Sequence, residues 1–386
     1  MPRVIVVGYV CLDIIPSFPA DRRVDLRVAL APGEGVEVDN IEFGTGGAVS
    51  NTGIALAKLG IQVSYSALIG KDEIGRLIQE RLSAWGDMRG ISSRSDCSSP
   101  YTIVLAPPSF DRAFLFHPGS NNNFSEEQID WGLVREAQHL HFGYPNIMRA
   151  MSSDDGQKLA SIFQKAKSLG LATSLDLALP GPNSVNNAKD WRSWLGAVLP
   201  HVDLFAPSIE ETLKLWDPET YSKYANTDNF VDSIPLETYR RLGSDLQSAG
   251  CAVVVLKAGG RGMYVRTGAA QRLRQIAHLQ SLLSTPEEEI WGCSFSQETV
   301  ASAVGAGDAA IAGLIGALHK RKTIIEAVAY GNCVGWQNLR GRDAVAGIGD
   351  WEETCELVRT LPINESAADG TWSPTNVRGV YRLSDA

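Results

Sequence analysis

Gly305, Ala306, Gly307 and Asp308 stand in a row at the head of an apolar stretch, "SAVGAGDAAIAGLIGALHK" (302–320). Ala310, Ile311, Leu314, Ile315 and Leu318 recur at three- and four-residue steps, so the stretch is a helix with one core face. The first amides of a helix have no intrahelical partner and carry the positive end of its dipole. Glycines beside them let an anion come close. Residues 305–307 are therefore a candidate anion cradle, and Asp308 lies in the first turn, where a carboxylate is favourable in itself. A plain turn followed by a helix-favouring Asp accounts for the same four residues.

Two further groups have the types for ligand chemistry. In "GTGGAVSNTGIALAKLG", Gly44, Gly46 and Gly47 precede a helix with Asn51 in its first turn, either a binding loop or a loop with a capping Asn. Asp13, in "YVCLDIIP", follows a buried strand, where loop carboxylates meet ligands and also form turns. Gly305, Gly307 and Ala310 also fit G-x-G-x-x-A, which keeps an NAD-dependent oxidoreductase among the alternatives. That fingerprint belongs in a β-α-β unit with an acidic residue on the next strand, whereas a second helix follows here. No G-x-x-x-x-G-K-[ST] occurs, so a P-loop is excluded.

The elements that must position these residues alternate. "RVIVVGYV", "IQVSYSALIG", "HLHFGYP", "LATSLDL", "VDLFAP" and "CAVVVLKAGG" read as strands, with helical patterns between them. "SIEETLKLW" opens on Ser208 with Glu211 three residues later, a capping box. Repeated β-α-β units imply a mostly parallel sheet with helices on both faces, a three-layer α/β/α domain spanning 1–386. Two strand-like stretches, about 14–45 and 98–118, interrupt the alternation and are expected to form a small β lid over the carboxyl ends of the strands, where open α/β sheets bind ligands. The second stretch reads as a hairpin turning at Pro107–Asp111. Residues 217–234 read as a surface insertion, 270–298 are ambiguous, and about 362–386 read as a polar tail.

Composition sets limits. Of 386 residues 44% are hydrophobic and 20% charged, enough for a sizeable core, and the net charge of −9 with no basic stripe argues against nucleic-acid binding. The six cysteines are scattered without metal spacing and read as reduced thiols of a cytoplasmic protein. The first residues lack the pattern of a signal peptide, and no apolar run is long enough for a membrane span.

In order along the chain come an Asp after the first strand, a Gly-Gly-x-x-x-Asn helix start, "LIGKDEIG", a lid-like interruption and a late Gly-Ala-Gly-Asp. That order resembles the PfkB, ribokinase-like family of carbohydrate kinases over roughly residues 3–350. The resemblance implies the ribokinase-like fold and transfer of the ATP γ-phosphoryl group to a sugar-like alcohol. Asp308 would be the base for the acceptor hydroxyl, and the amides of Gly305, Ala306 and Gly307 would hold the transferring group. Asp13, Gly46, Gly47 and Asn51 would bind the acceptor, with His117, Asn121, Tyr144, Asn146 and Arg112 as further candidates for that pocket. On the nucleotide side stand Lys257, Gly259 and Gly262 of "KAGGRG", and Asn332. Glu211 would order Mg²⁺ through water.

The chain departs from the family pattern at three places. Ser208 replaces the Asn of Asn-x-x-Glu, Gly260 the Glu of GExG, and Ser302 an Asp that helps to bind a monovalent cation, so K⁺ dependence is open. Ala48 stands where strict ribokinases have Lys. The alternatives are a nucleoside kinase of the same fold and a catalytically weak sugar- or nucleotide-binding protein. A homodimer through the lid follows from unpaired strand edges. Neither a nucleic-acid nor a membrane partner is expected.

Overall fold

The computed structural model describes residues 3–19, 25, 31–33, 35–107, 113–181, 189–283, 285–297, 299–364 and 371–383. β1 (Arg3–Gly8) is the pivot of the main sheet. On one side lie β4 (Gln62–Gly70) and β5 (Asp87–Arg94). On the other follow β8 (His139–Gly143), β9 (Ala172–Asp176), β10 (Leu204–Phe205) and β11 (Val253–Lys257), all parallel to β1. β12 (Met263–Thr267) and β13 (Glu289–Gly292) continue it antiparallel. The chain leaves β1 in both directions, so the crevice beyond its carboxyl end is the topological switch point at which such sheets bind ligands.

β1 shows why the fold has three layers. Its residues are β-branched and alternate in side, as strand geometry requires. Val4 and Val6 pack among Leu56, Ile315 and Val328, whereas Ile5 and Val7 pack among Phe142, Ile162 and Phe163. Val253 and Val255 repeat the first set, and Val254 and Leu256 the second. Burying such side chains is worth about 1.5–3 kcal/mol each. The first layer holds the helices Ala48–Lys58, Ala306–His319 and Ile324–Asn338; the second holds Gln157–Ser168 and Trp191–Val198.

A separate four-stranded sheet has the order β3-β2-β6-β7. It joins β2 (Cys11–Pro16), β3 (Ile41–Gly46), β6 (Tyr101–Leu105) and β7 (Ala113–His117). The expected hairpin is the antiparallel pair of β6 and β7, and its turn, with Arg112, lies outside the described residues. The small sheet reaches further than the expected lid boundaries. Asp13 pairs with Gly44 and Cys11 with Gly46, so these residues are strand rather than loop. Two glycines obscured the strand because they weaken strand propensity; here they face bulky partners on β2.

The C-terminal stretch also differs from expectation. It is not simply a polar tail: β14 (Trp372–Pro374) and β15 (Val380–Leu383) add two antiparallel strands at the edge of the main sheet, with Trp372 and Val380 buried. The short apolar groups there are spread among Ser, Asn and Arg, which hides their period. The ambiguous 270–298 region resolves into a short helix, Ala270–Leu273, and β13. Residues 217–234 carry two short helices without a buried residue, Pro218–Tyr224 and Phe230–Ser233, as a surface insertion would. Among the described residues no helix is long and apolar enough to cross a membrane.

Candidate active site

Two helix starts meet beyond the carboxyl ends of β1, β8, β9 and β11. Each begins at a glycine with positive φ, 81° at Gly47 and 77° at Gly305, and neither has a capping side chain. Elsewhere Asp72, Thr323 and Asp350 cap their helices through side-chain oxygens. At both starts a side chain would also collide. A Cβ on Gly47 would lie 2.6 Å from Tyr9 O, and one on Gly305 2.7 Å from Ala344 Cβ.

Asp308, 2% exposed, stands where the two starts face each other. The Asn51 amide donates to its Oδ2 at 2.9 Å and the Tyr144 hydroxyl to the same oxygen at 2.8 Å. Thr52 Oγ1 lies 3.4 Å from Oδ1. Burial raises the Asp308 pKa above the usual carboxylate value, while the Asn51 hydrogen bond and the nearby Lys257 ammonium hold it back. Among the described residues the buried Asn51 Oδ1 has no partner.

Lys257, at the end of β11, places Nζ 2.9 and 3.0 Å from the two carboxylate oxygens of Asp176 at the end of β9. Burial works against its charge, but Asp176 and Glu211 outweigh that and its pKa rises. Nζ is only 3.2 Å from where a Cβ on Gly307 would be, so the glycine opens the helix start to the ammonium. Glu211 completes the expected capping box with Ser208: Oε2 accepts from Ser208 N at 2.7 Å, and Ser208 Oγ accepts from Glu211 N at 3.1 Å. Its pKa is raised, chiefly by burial.

Two cavities meet at Asp308, Gly305 and Tyr144. One, of about 900 Å³, is walled by Glu211, Lys257, Gly259, Gly262, Gly307 and Asn332 among others. The other, of about 580 Å³, lies against the small sheet and is walled by Asp13, Gly46, Gly47, Asn51, Thr102 and Phe116 among others. Gly46 makes room for Asp13, since a Cβ there would lie 2.4 Å from Asp13 Oδ1. Burial above all, then Asp343, pushes the Asp13 pKa up to about 6, against a lowering hydrogen bond from Cys11.

The structure thus brings together Asp13, Gly46, Gly47, Asn51, Tyr144, Lys257, Gly259, Gly262, Asn332, Glu211 and residues 305–308. Three candidates are employed elsewhere. His117 lies on the other side of β7 from Phe116, with its ring nitrogen 2.8 Å from Ser98 Oγ, and is not a wall of the smaller cavity. Strand alternation explains this, because residues i and i+1 face opposite ways. Asn121 ties down the backbone of Val10, and Asn146 that of Ala178. Asn332 borders the larger cavity, but its amide donates to Gly292 O and Cys293 O. Sequence reasoning missed Asp176 and Thr52. The signal for Asp176 was an Asp ending the buried strand in "LATSLDL".

The second helix after Gly305, Ile324–Asn338, removes the β-α-β setting that a dinucleotide fingerprint needs. The family model described as pfkB family carbohydrate kinase matches residues 1–347. A ribokinase of Haemophilus influenzae is 22% identical over 348 residues, covering 90% of this chain and 98% of its own. A probable chloroplastic fructokinase of Arabidopsis thaliana is 24% identical, covering 85% of this chain and 82% of its own. The A. thaliana ribokinase solved with ribose and ATP superposes with a TM-score of 0.66 at 18% identity, over 92% of this chain and 98% of that one. A putative ribokinase II of E. coli, solved with ATP and Mg²⁺, gives 0.66 at 19% identity, over 93% and 99%.

Proposed function

The chain belongs to the pfkB family of carbohydrate kinases, phosphotransferases acting on sugar hydroxyls, and from that premise we propose that Asp308 is its general base. The γ-phosphoryl group of ATP would pass from the larger cavity to a hydroxyl of a sugar-like acceptor in the smaller one. The observation that carries this reading is the position of Asp308: buried, in the first turn of an uncapped helix, where both cavities open.

The amides of Gly305 and Gly307, with that of Ala306, which also reaches Ala303 O at 3.3 Å, would hold the transferring group, because donors fixed in advance need no reorganisation as charge moves. Lys257 adds a buried positive charge beside them. Asp13, Asn51 and the glycines at 46 and 47 would bind acceptor hydroxyls. Phosphoryl transfer needs such positioning and charge more than covalent help. Glu211 has one oxygen engaged by the Ser208 amide and borders the nucleotide-side cavity. That fits a Mg²⁺ ion that keeps most of its waters and takes other ligands from phosphates. Bound there, Mg²⁺ would neutralise phosphate charge.

One observation favours an acceptor larger than a free sugar. Phe114 and Phe116, 50% and 60% exposed, stand with Val104 and Leu179 on the outer wall of the smaller cavity. An acceptor with a flat apolar substituent, such as a nucleoside, would cover them. A homodimer through the small sheet belongs to the same proposal: Leu115 and Ile41, 53% and 54% exposed, lie on its two edge strands. A monomer in sedimentation at micromolar concentration would remove the dimer. The cysteines form no disulfide, in keeping with the cytoplasmic location we propose.

The test is ATP turnover with Mg²⁺ against ketoses, aldoses, sugar acids and nucleosides, with wild type and Asp308→Asn side by side. Loss of a general base is expected to cost about 10²–10⁴-fold in rate while ATP still binds. Binding of ATP and sugar with no turnover on any acceptor would favour a binding protein on a kinase fold, a reading that the departures at Ser208, Gly260 and Ser302 motivate.

A further inference from the structure

Tyr144 has features that an acceptor contact does not require. It follows β8 directly and adopts the left-handed conformation, φ 64° and ψ 33°, which is uncommon for a residue with a side chain. Its amide donates to Asp176 O at 3.1 Å, and its ring lies 6.4 Å from that of Tyr9. Backbone strain of this kind persists where the surroundings over-determine it. Here it aims the hydroxyl at Asp308 across the junction of the two cavities, both of which Tyr144 helps to wall.

The oxygens of Asp308 are used unequally. Oδ2 accepts two good hydrogen bonds, 2.8 Å from Tyr144 and 2.9 Å from Asn51. Among the described residues Oδ1 has only the 3.4 Å contact of Thr52, at the outer limit of a hydrogen bond. Resting on the kinase reading, we propose that Tyr144 is a positioning residue that selects Oδ1 of Asp308 as the oxygen receiving the acceptor's proton. The phenol and the Asn51 amide fill Oδ2 and fix the plane of the carboxylate. Oδ1 is left with free lone pairs for the incoming hydroxyl. The proton moves from that hydroxyl to Oδ1 as its oxygen bonds to phosphorus and the ADP oxygen leaves.

The phenol is suited to stay a donor. Burial first, then the charges of Asp308 and Asp176, push its ionisation well above the ordinary tyrosine value. A donor to a carboxylate favours the charged form, so the contact also keeps Asp308 ready to accept. The other titratable groups that face Asp308 are Lys257 from β11, which favours its charge, and Asp176, Glu211 and Cys11, which oppose it or are opposed by it. None of these occupies Oδ2, so none substitutes for Tyr144.

Tyr144→Phe deletes the hydroxyl and keeps the ring. Two readouts test the role. In the resting protein, the Asp308 carboxyl is titrated by carbon-13 NMR, a measurement that needs no turnover and stays valid if the kinase reading fails. The variant is expected to titrate at higher pH than wild type, since a bond to the charged form is lost. In turnover, kcat is expected to fall on the order of tenfold, the rate equivalent of one hydrogen bond to a charged group. The acid limb of the pH–rate profile should move upward, with KM for ATP unchanged. An unmoved Asp308 titration overturns the proposal. So does a variant whose only defect is a higher acceptor KM, which would make Tyr144 an acceptor contact. Thermal unfolding accompanies both readouts, and Tyr144→His, which keeps a donor on a ring, is the second variant should the first fold poorly. Partial return of the low-pH titration in it supports the role, and no return argues against it.

Discussion

At Gly47 and at Gly305 the chain enters an uncapped helix through a glycine with φ near 80°, although ψ is 157° at the first and 0° at the second. What each start leaves free is different. After Gly47, the Val49 amide is taken by Tyr9 O at 3.0 Å, no acceptor among the described residues meets the amides of Ala48 and Ser50, and the start acts through a side chain, the Asn51 amide on Asp308. After Gly305, the Ala306 amide donates to Ala303 O at 3.3 Å, but no protein acceptor among the described residues meets the amides of Gly307 and Asp308. A shared sequence signature, glycines before an apolar helix, thus builds two devices. One has its middle amide closed by the backbone of Tyr9 and positions a carboxylate through Asn51. The other keeps the amides of Gly307 and Asp308 open, the device we propose for the transferring group.

The largest expected effect comes from removing the charge beneath the open start. Lys257→Met leaves Asp176 buried without its partner, and breaking such a pair costs about 3–5 kcal/mol. Denaturant unfolding should show that loss, and the double variant Lys257→Met with Asp176→Leu should recover most of it. If the single variant lost less than about 1 kcal/mol, the pair would be solvated and the open start would not depend on it.

The glycines themselves come next. At Gly47, Ala would be forced into positive φ and meet Tyr9 O, so Gly47→Ala is expected to cost about 1–3 kcal/mol in stability. Gly307 is already helical, and the atom a methyl would meet is the Lys257 ammonium at 3.2 Å, which must shift slightly against Asp176. Gly307→Ala should therefore cost less stability than Gly47→Ala, since the helical gain of Ala, up to about 1 kcal/mol, offsets that shift. Yet, on the proposed function, kcat should fall at least about tenfold, because the methyl crowds the amides we propose for the phosphoryl group. Equal losses of stability in the two variants would erase the distinction between a closed and an open start.

How far the sequence led can be read from these same residues. The open start was legible because its signal is local: two glycines, an Asp and a helical period lie within 19 consecutive positions. Strand and helix alternation gave the parallel sheet for the same reason. Thr52 was not legible, since it acts on a residue far away in the chain and does not depart from what a buried helix carries. Asp176 left one mark, a carboxylate ending a buried strand, but its partner Lys257 lies 81 positions away. His117 misled because one step along a strand reverses the face. β14 and β15 were hidden by polar neighbours on short edge strands, where pairing rather than composition makes the strand.

pH separates the starts more gently. Asp13, beside the closed start, has its pKa pushed up to about 6. In the role we propose for it, its carboxylate would accept from acceptor hydroxyls, and once protonated it would lose part of that capacity. The acceptor KM is expected to rise as pH falls through about 6, with KM for ATP flat over the same range. In Asp13→Asn the acceptor KM should be high and flat. An ATP KM that followed the same limb would place the titration at the open start instead.

The smallest effect is expected at a third helix start, which stands between the two kinds. Ser208 and Glu211 form a complete capping box at the head of Ile209–Trp216, and yet Glu211 borders the nucleotide-side cavity. Ser208→Ala removes one cap hydrogen bond and should cost about 1 kcal/mol. The Ser208 backbone amide would still donate to Glu211, as it does now at 2.7 Å. The carboxylate would then keep its place, and the Mg²⁺ concentration giving half-maximal ATP turnover should stay within about twofold, a change under about 0.5 kcal/mol. A several-fold rise in that concentration would mean that the hydroxyl itself helps to order the ion's waters. This start would then be open in the sense of Gly305 as well as capped.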